Sequence, residues 1–365
     1  MINLMNDYNY TAHPDILKAV AEAPVSGYLG YGCDEVDDCA RALVRDMIGQ
    51  ADADVHFLTG GTQTNLTAVS AFLRPHEAVI AADTAHISKH EAGAIEMTGH
   101  KVYAVKHRDG KVTRSSVEDV IEEHTDEHFV KPRMLYISQS TEYGTVYTKE
   151  ELRGLRDVCD ANNLLLYIDG ARIGAAATAN PLSNAPTASP ISDAPGTGEG
   201  VTVSDIAKVA DAVCVGGTKN GLLFGEALVI NNPSLRDDMR FIIKQRGGLL
   251  AKGFLIGIQF EAILKDGLYL SLARKANESA ATLRTGLLAL GYSFEVDSPT
   301  NQVFPVVSDA QAGFLEKHII FERWHKVGAD RVEIRFVTTW RTTPEEIAGA
   351  LEILKEAIGT DGGAR

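Results

Sequence analysis

The chain has 365 residues, with 35 lysines and arginines against 49 aspartates and glutamates, and its formal net charge is −14 at pH 7. This length is more than twice that of a common domain, so we expect one large domain and a smaller one. The negative charge opposes a phosphate-neutralising surface and excludes nucleic acid as an expected partner. Hydrophobic residues make up 45% and charged residues 23%, which is typical of a globular protein rather than a disordered or fibrous one.

The N-terminal segment and the cysteines indicate where the protein resides. No lysine or arginine precedes Lys18 and no apolar segment lies there, so a secretory signal peptide is not expected. No uncharged apolar run approaches the roughly 18 residues of a membrane span. The cysteines lack a CxxC pair, which favours reduced, structural thiols; they are Cys33, Cys39, Cys159 and Cys214. We therefore predict a cytoplasmic protein without a membrane partner.

The first two thirds of the chain alternate short apolar runs with longer helical patterns. This alternation is typical of βαβ units and predicts a mostly parallel sheet. The runs interpreted as strands are 55–58, 78–81, 101–105, 134–138 and 164–168. Two further runs, 212–215 and 227–230, are separated by a glycine-rich turn instead of a helix. We expect these two to pair antiparallel, which would make the sheet mixed.

Three helices have recognisable boundaries. Capping-box patterns start at Thr148 and Thr343, each ahead of an apolar face. A third helix is predicted from Arg274 until it stops at Gly291. Beyond residue 260 the order helix, strand, strand, helix predicts an α+β C-terminal domain, with its strands at 302–307 and 332–338.

The same patterns predict the domain organisation. We expect an N-terminal arm at 1–25, a large domain at 26–255 and a small C-terminal domain at 256–365. Within the large domain, segment 180–200 is rich in proline, serine, alanine, threonine and glycine and contains two charged residues. This composition predicts a surface insertion rather than a core element.

A glycine turn is the first candidate site. Gly60, Gly61 and Thr62 follow a predicted strand and open a helix. Free N–H groups at a helix start can bind phosphate, and glycine leaves them unobstructed because it lacks Cβ. The turn is neither a Walker loop nor a GxGxxG motif, so an ordinary tight turn stays open as the alternative.

Two strand ends carry further candidates. Asp169 closes the run 164–168, at the edge where α/β proteins bind ligands, and helix capping is its alternative role. Arg172 is either the cationic partner of Asp169 or a clamp for a ligand carboxylate. Lys219 lies between glycines just after the run 212–215, where desolvation lowers the pKa of an amine enough for it to attack a carbonyl. Its alternative is an ordinary surface lysine.

The segment from His86 to Glu91 contains a second histidine, His90, four residues after the first. The glutamate follows the pair instead of lying inside it as in HExxH, and no further cluster supplies ligands, so we expect no metal. We interpret His86 as a ring that packs on a flat cofactor, with a structural histidine as the alternative.

These candidates together match the needs of pyridoxal 5'-phosphate. That cofactor requires an anchor for its phosphate, a side chain that stacks on its ring, a carboxylate for its pyridine nitrogen and an amine for its aldehyde. The glycine turn, His86, Asp169 and Lys219 supply one of each.

Over essentially its whole length the chain resembles the threonine aldolase / β-eliminating lyase family, pyridoxal phosphate enzymes of the aspartate aminotransferase fold (fold type I). The specific signals are the tetrapeptide Asp169-Gly170-Ala171-Arg172 and the lysine at the end of a later strand. The other matching segments are 6–7, 31–34, 60–65, 86–91, 216–221, 245–248 and 335–338. The resemblance implies an α/β fold with a mostly parallel mixed sheet in the large domain and a smaller α+β C-terminal domain.

The resemblance also implies a cofactor site. Lys219 would form the imine with the cofactor's aldehyde, Asp169 would hold the proton on the pyridine nitrogen, and His86 would stack on the ring. The remaining cofactor-binding residues would be Gly60, Gly61, Thr62, Arg172 and Thr218.

For the amino acid substrate, the resemblance implies that Arg172 and Arg335 grip its carboxylate. Asn6 stands where the family usually has a serine that also touches this carboxylate. Tyr31 would reach the active site of a neighbouring subunit, because enzymes of this family form homo-oligomers, dimers or tetramers, with active sites at a dimer interface. Glu91, His86 or a water molecule would take the proton of the substrate's hydroxyl.

The implied reaction is retro-aldol cleavage of L-threonine, L-allo-threonine or related β-hydroxy-α-amino acids to glycine and an aldehyde. A β-eliminating lyase or an aminotransferase with the same cofactor is the nearest alternative. A nucleotide-binding oxidoreductase is the alternative from another class, with Asp83 as its nearest acidic candidate. The chain departs from the family at Gly60, where a serine is common, and at Gln139 to Glu142, where a histidine linked to the hydroxyl side of the substrate often occurs.

Overall fold

The structure, a computed structural model, describes residues 1–25, 27–124, 126–180 and 200–360. The predicted insertion at 180–200 lies outside the described residues, except for its first and last residue. The strands are β1 (Ile2–Asn3), β2 (Asp54–Leu58), β3 (Glu77–Ala82), β4 (Val102–Val105), β5 (Lys131–Ser138), β6 (Leu165–Gly170), β7 (Ala212–Gly216), β8 (Glu226–Ile230), β9 (Ser293–Phe294), β10 (Gln302–Val303), β11 (Pro305–Ser308), β12 (Ile319–Ile320), β13 (Glu322–Lys326) and β14 (Arg331–Val337).

Helices alternate with these strands in the first two thirds of the chain. They are α1 (Pro14–Ala21), α2 (Glu35–Ile48), α3 (Gly61–Phe72), α4 (His86–Lys89), α5 (Arg114–Glu123), α6 (Lys149–Ala161), α7 (Ile173–Ala177), α8 (Val203–Val209), α9 (Met239–Gln245), α10 (Phe254–Leu264), α11 (Leu268–Ala289), α12 (Asp309–Leu315) and α13 (Pro344–Ile358). No helix in the described part of the chain combines the length and the apolar sequence that a bilayer crossing requires.

A seven-stranded sheet forms the centre of the large domain, in the order β2-β8-β7-β6-β5-β3-β4. All neighbours are parallel except β8, which runs antiparallel to both β2 and β7, so the predicted mixed sheet is confirmed. Every residue of β3, β6, β7 and β8 is buried because helices cover both faces, which explains their continuous apolar sequences. The register places Ser138 and Cys214 on either side of Asp169. Side chains from three strands therefore meet at one edge.

Local sequence signals place some helix starts correctly and miss another. The Thr148 hydroxyl accepts a hydrogen bond from the Glu151 amide at 3.2 Å, and the Glu151 carboxylate accepts one from the Thr148 amide at 2.7 Å, as a capping box requires. Thr343 opens α13 with the same arrangement. Helix α11, predicted from Arg274, begins already at Leu268. Its start was missed because Gly267, in the left-handed region at φ 71°, precedes it instead of a side-chain cap.

The molecule has two hydrophobic cores, and helix α11 contributes residues to both. Tyr269 and Leu272 of this helix belong to the core of the large domain, whereas Leu283 and Leu287 belong to that of the small domain. The chain therefore passes from the first core to the second within α11, later than the predicted domain boundary at residue 256. The N-terminal arm joins both parts, because β1 pairs with β12 of the small domain while α1 packs on the large one.

The small domain contains an antiparallel sheet in which β14 is central and pairs with β10, β11 and β13. The strand predicted at 302–307 is divided into β10 and β11 at Phe304. Both parts keep one register on β14, with Val303 opposite Phe336 and Val306 opposite Glu333. Pro305 explains the interruption because proline has no N–H to donate to the ladder.

Glu333 of β14 is a carboxyl enclosed in the small domain. Its exposure is 0%, and neither of its carboxyl oxygens receives a hydrogen bond from any described residue. His325 Nδ1 lies 3.2 Å from Oε2, and Glu295 lies beyond this imidazole. Burial, with a smaller effect of the Glu295 charge, raises the pKa of Glu333 from 4.5 to about 8.

This raised pKa predicts how stability depends on pH. The folded state binds the Glu333 proton more tightly than the unfolded state, so stability is lost as pH rises from about 4.5 through about 8, by up to about 1.4 kcal/mol per pH unit. We expect Glu333→Gln to flatten this decline, measured as the free energy of unfolding in urea at pH 5 and pH 8. Glu352→Gln, at an exposed position, is the control. Equal declines in Glu333→Gln and the parent protein would contradict the prediction.

Candidate active site

A cavity of about 550 Å³ opens at the carboxyl edge of the large sheet and is closed on its other side by β13 and β14. It collects residues from nine separate segments of the chain, from Tyr8 to Arg335. Of the residues that the sequence singled out, those lining the cavity are Gly60, Gly61, Thr62, His86, Asp169, Arg172, Thr218, Lys219 and Arg335. Asn6, Tyr31 and Glu91 are not among the lining residues.

Asp169 near the end of β6 is buried and held by three hydrogen bonds. Its Oδ2 accepts from the Tyr136 hydroxyl at 2.6 Å and from Asn65 Nδ2 at 3.0 Å, and its Oδ1 accepts from the Ala171 amide at 2.9 Å. Burial opposes ionisation, but these donors and the nearby positive charges hold the pKa of Asp169 below its ordinary value. The residue that precedes α7 as its cap is Arg172, so the helix-capping alternative for Asp169 does not hold.

Lys219 lies in a 3₁₀ turn that follows β7 and borders the cavity at the same edge of the sheet as Asp169. Burial and the positive charge of Arg172 lower the pKa of its amine, although Asp7, Asp169 and Glu226 oppose this shift. A lowered pKa increases the share of neutral amine, which is the form that attacks a carbonyl. The surface-lysine alternative therefore does not hold.

The start of α3 leaves backbone N–H groups free. Gly60 precedes the helix, and the amides of Gly61 and Thr62 fall in its first turn, where no intrahelical acceptor exists. A Cβ added at Gly60 or Gly61 would meet no atom within 4 Å, so their backbone borders open space. Phosphate groups bind at helix starts of this kind.

A hydrogen-bonded chain connects His86 with Asp169. His86 Nδ1 lies 2.8 Å from Glu91 Oε1, which also accepts from Asn65 Nδ2 at 2.7 Å, and the same amide nitrogen reaches Asp169. The Glu91 side chain has 0% exposure. The expectation that Glu91 contacts the substrate is therefore corrected: it lies behind His86 and orients the imidazole ring. The described residues contain no group of three or more side chains that could hold a metal ion.

Both arginines are already bound to carboxylates of this chain. Arg172 Nε and Nη2 donate to the two carboxyl oxygens of Asp7 at 2.6 and 3.0 Å, so its partner is Asp7 and not Asp169. Arg335 pairs with Glu322, and its guanidinium carbon lies 4.7 Å from the centre of the Trp324 ring. These contacts fix both guanidinium groups while they still border the cavity, where an anion can meet them.

Two other expected substrate contacts stand apart from the cavity. Asn6 Oδ1 accepts a hydrogen bond from the Tyr8 amide at 3.0 Å, and Tyr8 rather than Asn6 borders the cavity. Tyr31 is 43% exposed and lies in a different depression beside Arg240. Within one chain, neither residue reaches the position that the family resemblance implied.

The residues that hold the site's side chains in place were not predicted from the sequence. Asn65 and Tyr136 bind Asp169, Asp7 holds Arg172, and Tyr167 donates to Asn65 Oδ1 at 3.0 Å. The sequence provided a weak indication for Tyr136 and Tyr167, because a buried tyrosine hydroxyl in an apolar strand needs a hydrogen-bond partner. The lining residues that were not selected include Glu142, Glu226, Glu322 and Trp324.

The buried carboxylate, the amine of lowered pKa and the free helix start define a cofactor-dependent enzyme of the α/β class. The chain belongs to the beta-eliminating lyase family, whose sequence model matches residues 4–310. This assignment removes the nucleotide-binding oxidoreductase alternative.

Relatives of known sequence and structure agree with this assignment. A low specificity L-threonine aldolase of Pseudomonas aeruginosa is 32% identical over 272 residues, 74% of this chain and 73% of that protein. The structure of a Leishmania major threonine aldolase is 39% identical, with a TM-score of 0.91 over 98% of this chain and 100% of that one. A serine palmitoyltransferase of Sphingomonas wittichii shares the fold at 16% identity, with a TM-score of 0.73 over 99% of this chain and 88% of that one. The predicted fold type I architecture is confirmed.

The site also has the donor set that pyridoxal 5'-phosphate needs. The open backbone at Gly60 and Gly61 suits a phosphate, ionised Asp169 suits a protonated pyridine nitrogen, and the amine of Lys219 suits an aldehyde. His86, whose side chain is 35% exposed to the cavity, offers a flat ring. The residues present therefore fit this cofactor.

Proposed function

We propose that the protein cleaves β-hydroxy-α-amino acids, L-threonine and L-allo-threonine among them, to glycine and an aldehyde with pyridoxal 5'-phosphate as its cofactor. The observation that carries this proposal is the meeting of Lys219, Asp169 and two arginines in one cavity beside a free helix start. The names of the relatives support the same reaction.

The cofactor-binding residues have distinct roles in this proposal. Gly61 and Thr62 bind the phosphate through their amides, and Thr218 borders the same cavity. Asp169 pairs with the ring nitrogen, and His86 stacks on the ring face. When bound, the cofactor supplies an electron sink for the bond that breaks at the substrate's α-carbon.

Arg172 and Arg335 bind the substrate's carboxylate. Each guanidinium is paired with a carboxylate of this chain, so it borders the cavity in a fixed orientation. Such fixing lowers the entropy lost when the substrate is positioned. A substrate held by its carboxylate and its amino group can present only one orientation of its Cα–Cβ bond, and this orientation determines which bond breaks.

Product analysis tests the proposed reaction. The purified protein, supplied with pyridoxal 5'-phosphate, is incubated with L-threonine, L-allo-threonine and L-cysteine, and the products are quantified. We expect glycine and acetaldehyde in equal amounts from the two threonine isomers. Ammonia with a 2-oxo acid as the main products would instead identify a β-eliminating lyase, and transfer of the amino group to an added 2-oxo acid would identify an aminotransferase.

We further infer that the protein is a homo-oligomer with Tyr31 at an interface between subunits. Large apolar side chains are exposed near this tyrosine in sequence or in space: Val25 at 104%, Leu29 at 83% and Phe241 at 76%. Exposed apolar groups of this kind mark association surfaces. Light scattering is expected to give twice or four times the mass of one chain, and a monomer would contradict the inference.

The four cysteines are free thiols, which supports a cytoplasmic location.

A further inference from the structure

We propose that Glu142 is the base that takes the proton from the substrate's β-hydroxyl group. The inference rests on the proposed function and names a catalytic residue for it. Glu142 follows β5 in a short loop and borders the same cavity as Lys219 and Asp169. Its position at the sheet edge brings this carboxyl into the same cavity as the reacting groups.

Two hydrogen bonds hold the Glu142 carboxyl beside His86. Its Oε1 accepts from Ser138 Oγ at 2.7 Å and from the backbone amide of His86 at 2.9 Å. One donor comes from the end of β5 and the other from the start of α4, so two separate elements position the group. Both of these bonds reach Oε1, so neither of them occupies Oε2.

The surroundings of Glu142 make its carboxylate more basic than an exposed one. Burial raises the pKa of its carboxyl above the ordinary value, and the negative charge of Asp169 acts in the same direction. The Ser138 hydroxyl, its own backbone amide and the charge of His86 oppose this rise without cancelling it. A carboxylate with a raised pKa accepts a proton more readily than an exposed one.

The other acidic side chains that line the cavity already have hydrogen-bond or ion-pair partners. Asp169 is bound by Tyr136 and Asn65, and Glu322 is paired with Arg335. Glu226 accepts a hydrogen bond from the Gly217 amide at 3.0 Å, below the turn that carries Lys219. Among the described residues, Glu142 accepts hydrogen bonds from uncharged donors and forms no ion pair.

Proton transfer to Glu142 accompanies cleavage of the substrate's Cα–Cβ bond. The O–H bond of the β-hydroxyl breaks and its proton passes to Glu142, while the oxygen's electron pair forms the C=O bond of the departing aldehyde. The Cα–Cβ bond breaks, and its electron pair stays with the glycine fragment. The α-carbon then takes a proton from water, and Glu142 later returns its proton to solvent, so no net proton is consumed.

Glu142→Gln separates this step from the other chemistry of the site. The amide oxygen of glutamine still accepts from Ser138 and His86, so the loop keeps its contacts, but the base is lost. We expect cleavage of L-threonine to fall on the order of 10²- to 10⁴-fold. Exchange of the glycine α-proton in D₂O, followed by NMR, needs no hydroxyl base and is expected to stay within a few-fold of the parent. Visible absorbance of the bound cofactor and the Kd for glycine are expected to be unchanged.

Two further variants sharpen the test. Ser138→Ala removes a hydrogen bond that favours the carboxylate, so the acidic limb of the pH profile for threonine cleavage is expected to move to higher pH. Glu150→Gln, an exposed glutamate at the start of α6, is the matched control and is expected to behave like the parent.

Three results would overturn the proposal. Threonine cleavage by Glu142→Gln within a few-fold of the parent would show that another group is the base. His90 also borders the cavity, and a selective loss in His90→Asn would identify it as that group. A loss of glycine exchange and cofactor absorbance together with cleavage would show a structural role. If the parent exchanges the glycine α-proton but cleaves no β-hydroxy amino acid, the proposed function fails first and the assignment of Glu142 fails with it.

Discussion

Replacing Lys219 with alanine is expected to remove the visible absorbance that develops when the protein is titrated with pyridoxal 5'-phosphate. The amine is the group that bonds covalently to the cofactor's aldehyde, and alanine has no substitute for it. Threonine cleavage is expected to fall by at least about 10³-fold, equivalent to about 4 kcal/mol of barrier. Absorbance titration and product analysis on the same preparation measure both effects.

Lys252→Ala provides the control for this experiment, because Lys252 is an exposed lysine outside the cavity. It is expected to develop the full absorbance. The assignment of Lys219 would be refuted by an unchanged spectrum in Lys219→Ala, or by borohydride fixing the cofactor to that variant as efficiently as to the parent.

Asp169→Asn is expected to retain part of the cofactor but to lose on the order of 10²-fold or more in cleavage rate, about 3 kcal/mol of barrier. Asparagine preserves the shape of the side chain and an acceptor for Tyr136, so the effect isolates the negative charge opposite the ring nitrogen. The pKa of Asp169 is lowered, so this charge persists through the neutral range and is lost only when pH falls through the lowered value. The rate loss is therefore expected to be the same at pH 6 and pH 9.

Asp52→Asn, at an exposed position, is the control and is expected to match the parent rate. A parent-like rate in Asp169→Asn would mean that the carboxylate does not support the ring nitrogen. Complete loss of cofactor binding would mean that its main contribution is to binding rather than to the reaction rate.

Local sequence patterns predicted the elements that carry the site. The apolar runs became strands of the large sheet, and the capping boxes at Thr148 and Thr343 became helix starts, because these signals act between neighbouring residues. Lys219 and Asp169 could be identified as site candidates from the sequence for a similar reason. Each is a charged residue at the end of an apolar strand, and a charge in that position requires a partner or a ligand.

Local sequence patterns did not predict which residues contact Lys219, Asp169 and the two arginines. Asp7 and Arg172 are 165 positions apart, and Asn65 lies 104 positions from Asp169. The sequence contains 49 acidic residues and does not say which of them meets a given arginine. For the same reason Glu91 was expected to contact the substrate, whereas the fold turns it inward beneath His86.

The sequence by itself determined the seven strands of the large sheet, the family resemblance and the strand-end positions of Lys219 and Asp169, because hydrophobic patterns and motifs within short segments specify them. Only the tertiary structure decided that the arginines are held by Asp7 and Glu322, that Asn65 links Asp169 to Glu91, and that Glu142 borders the cavity. These contacts depend on how sheet register and domain packing bring distant segments together. That information lies in the packing of the whole chain and not in any single segment.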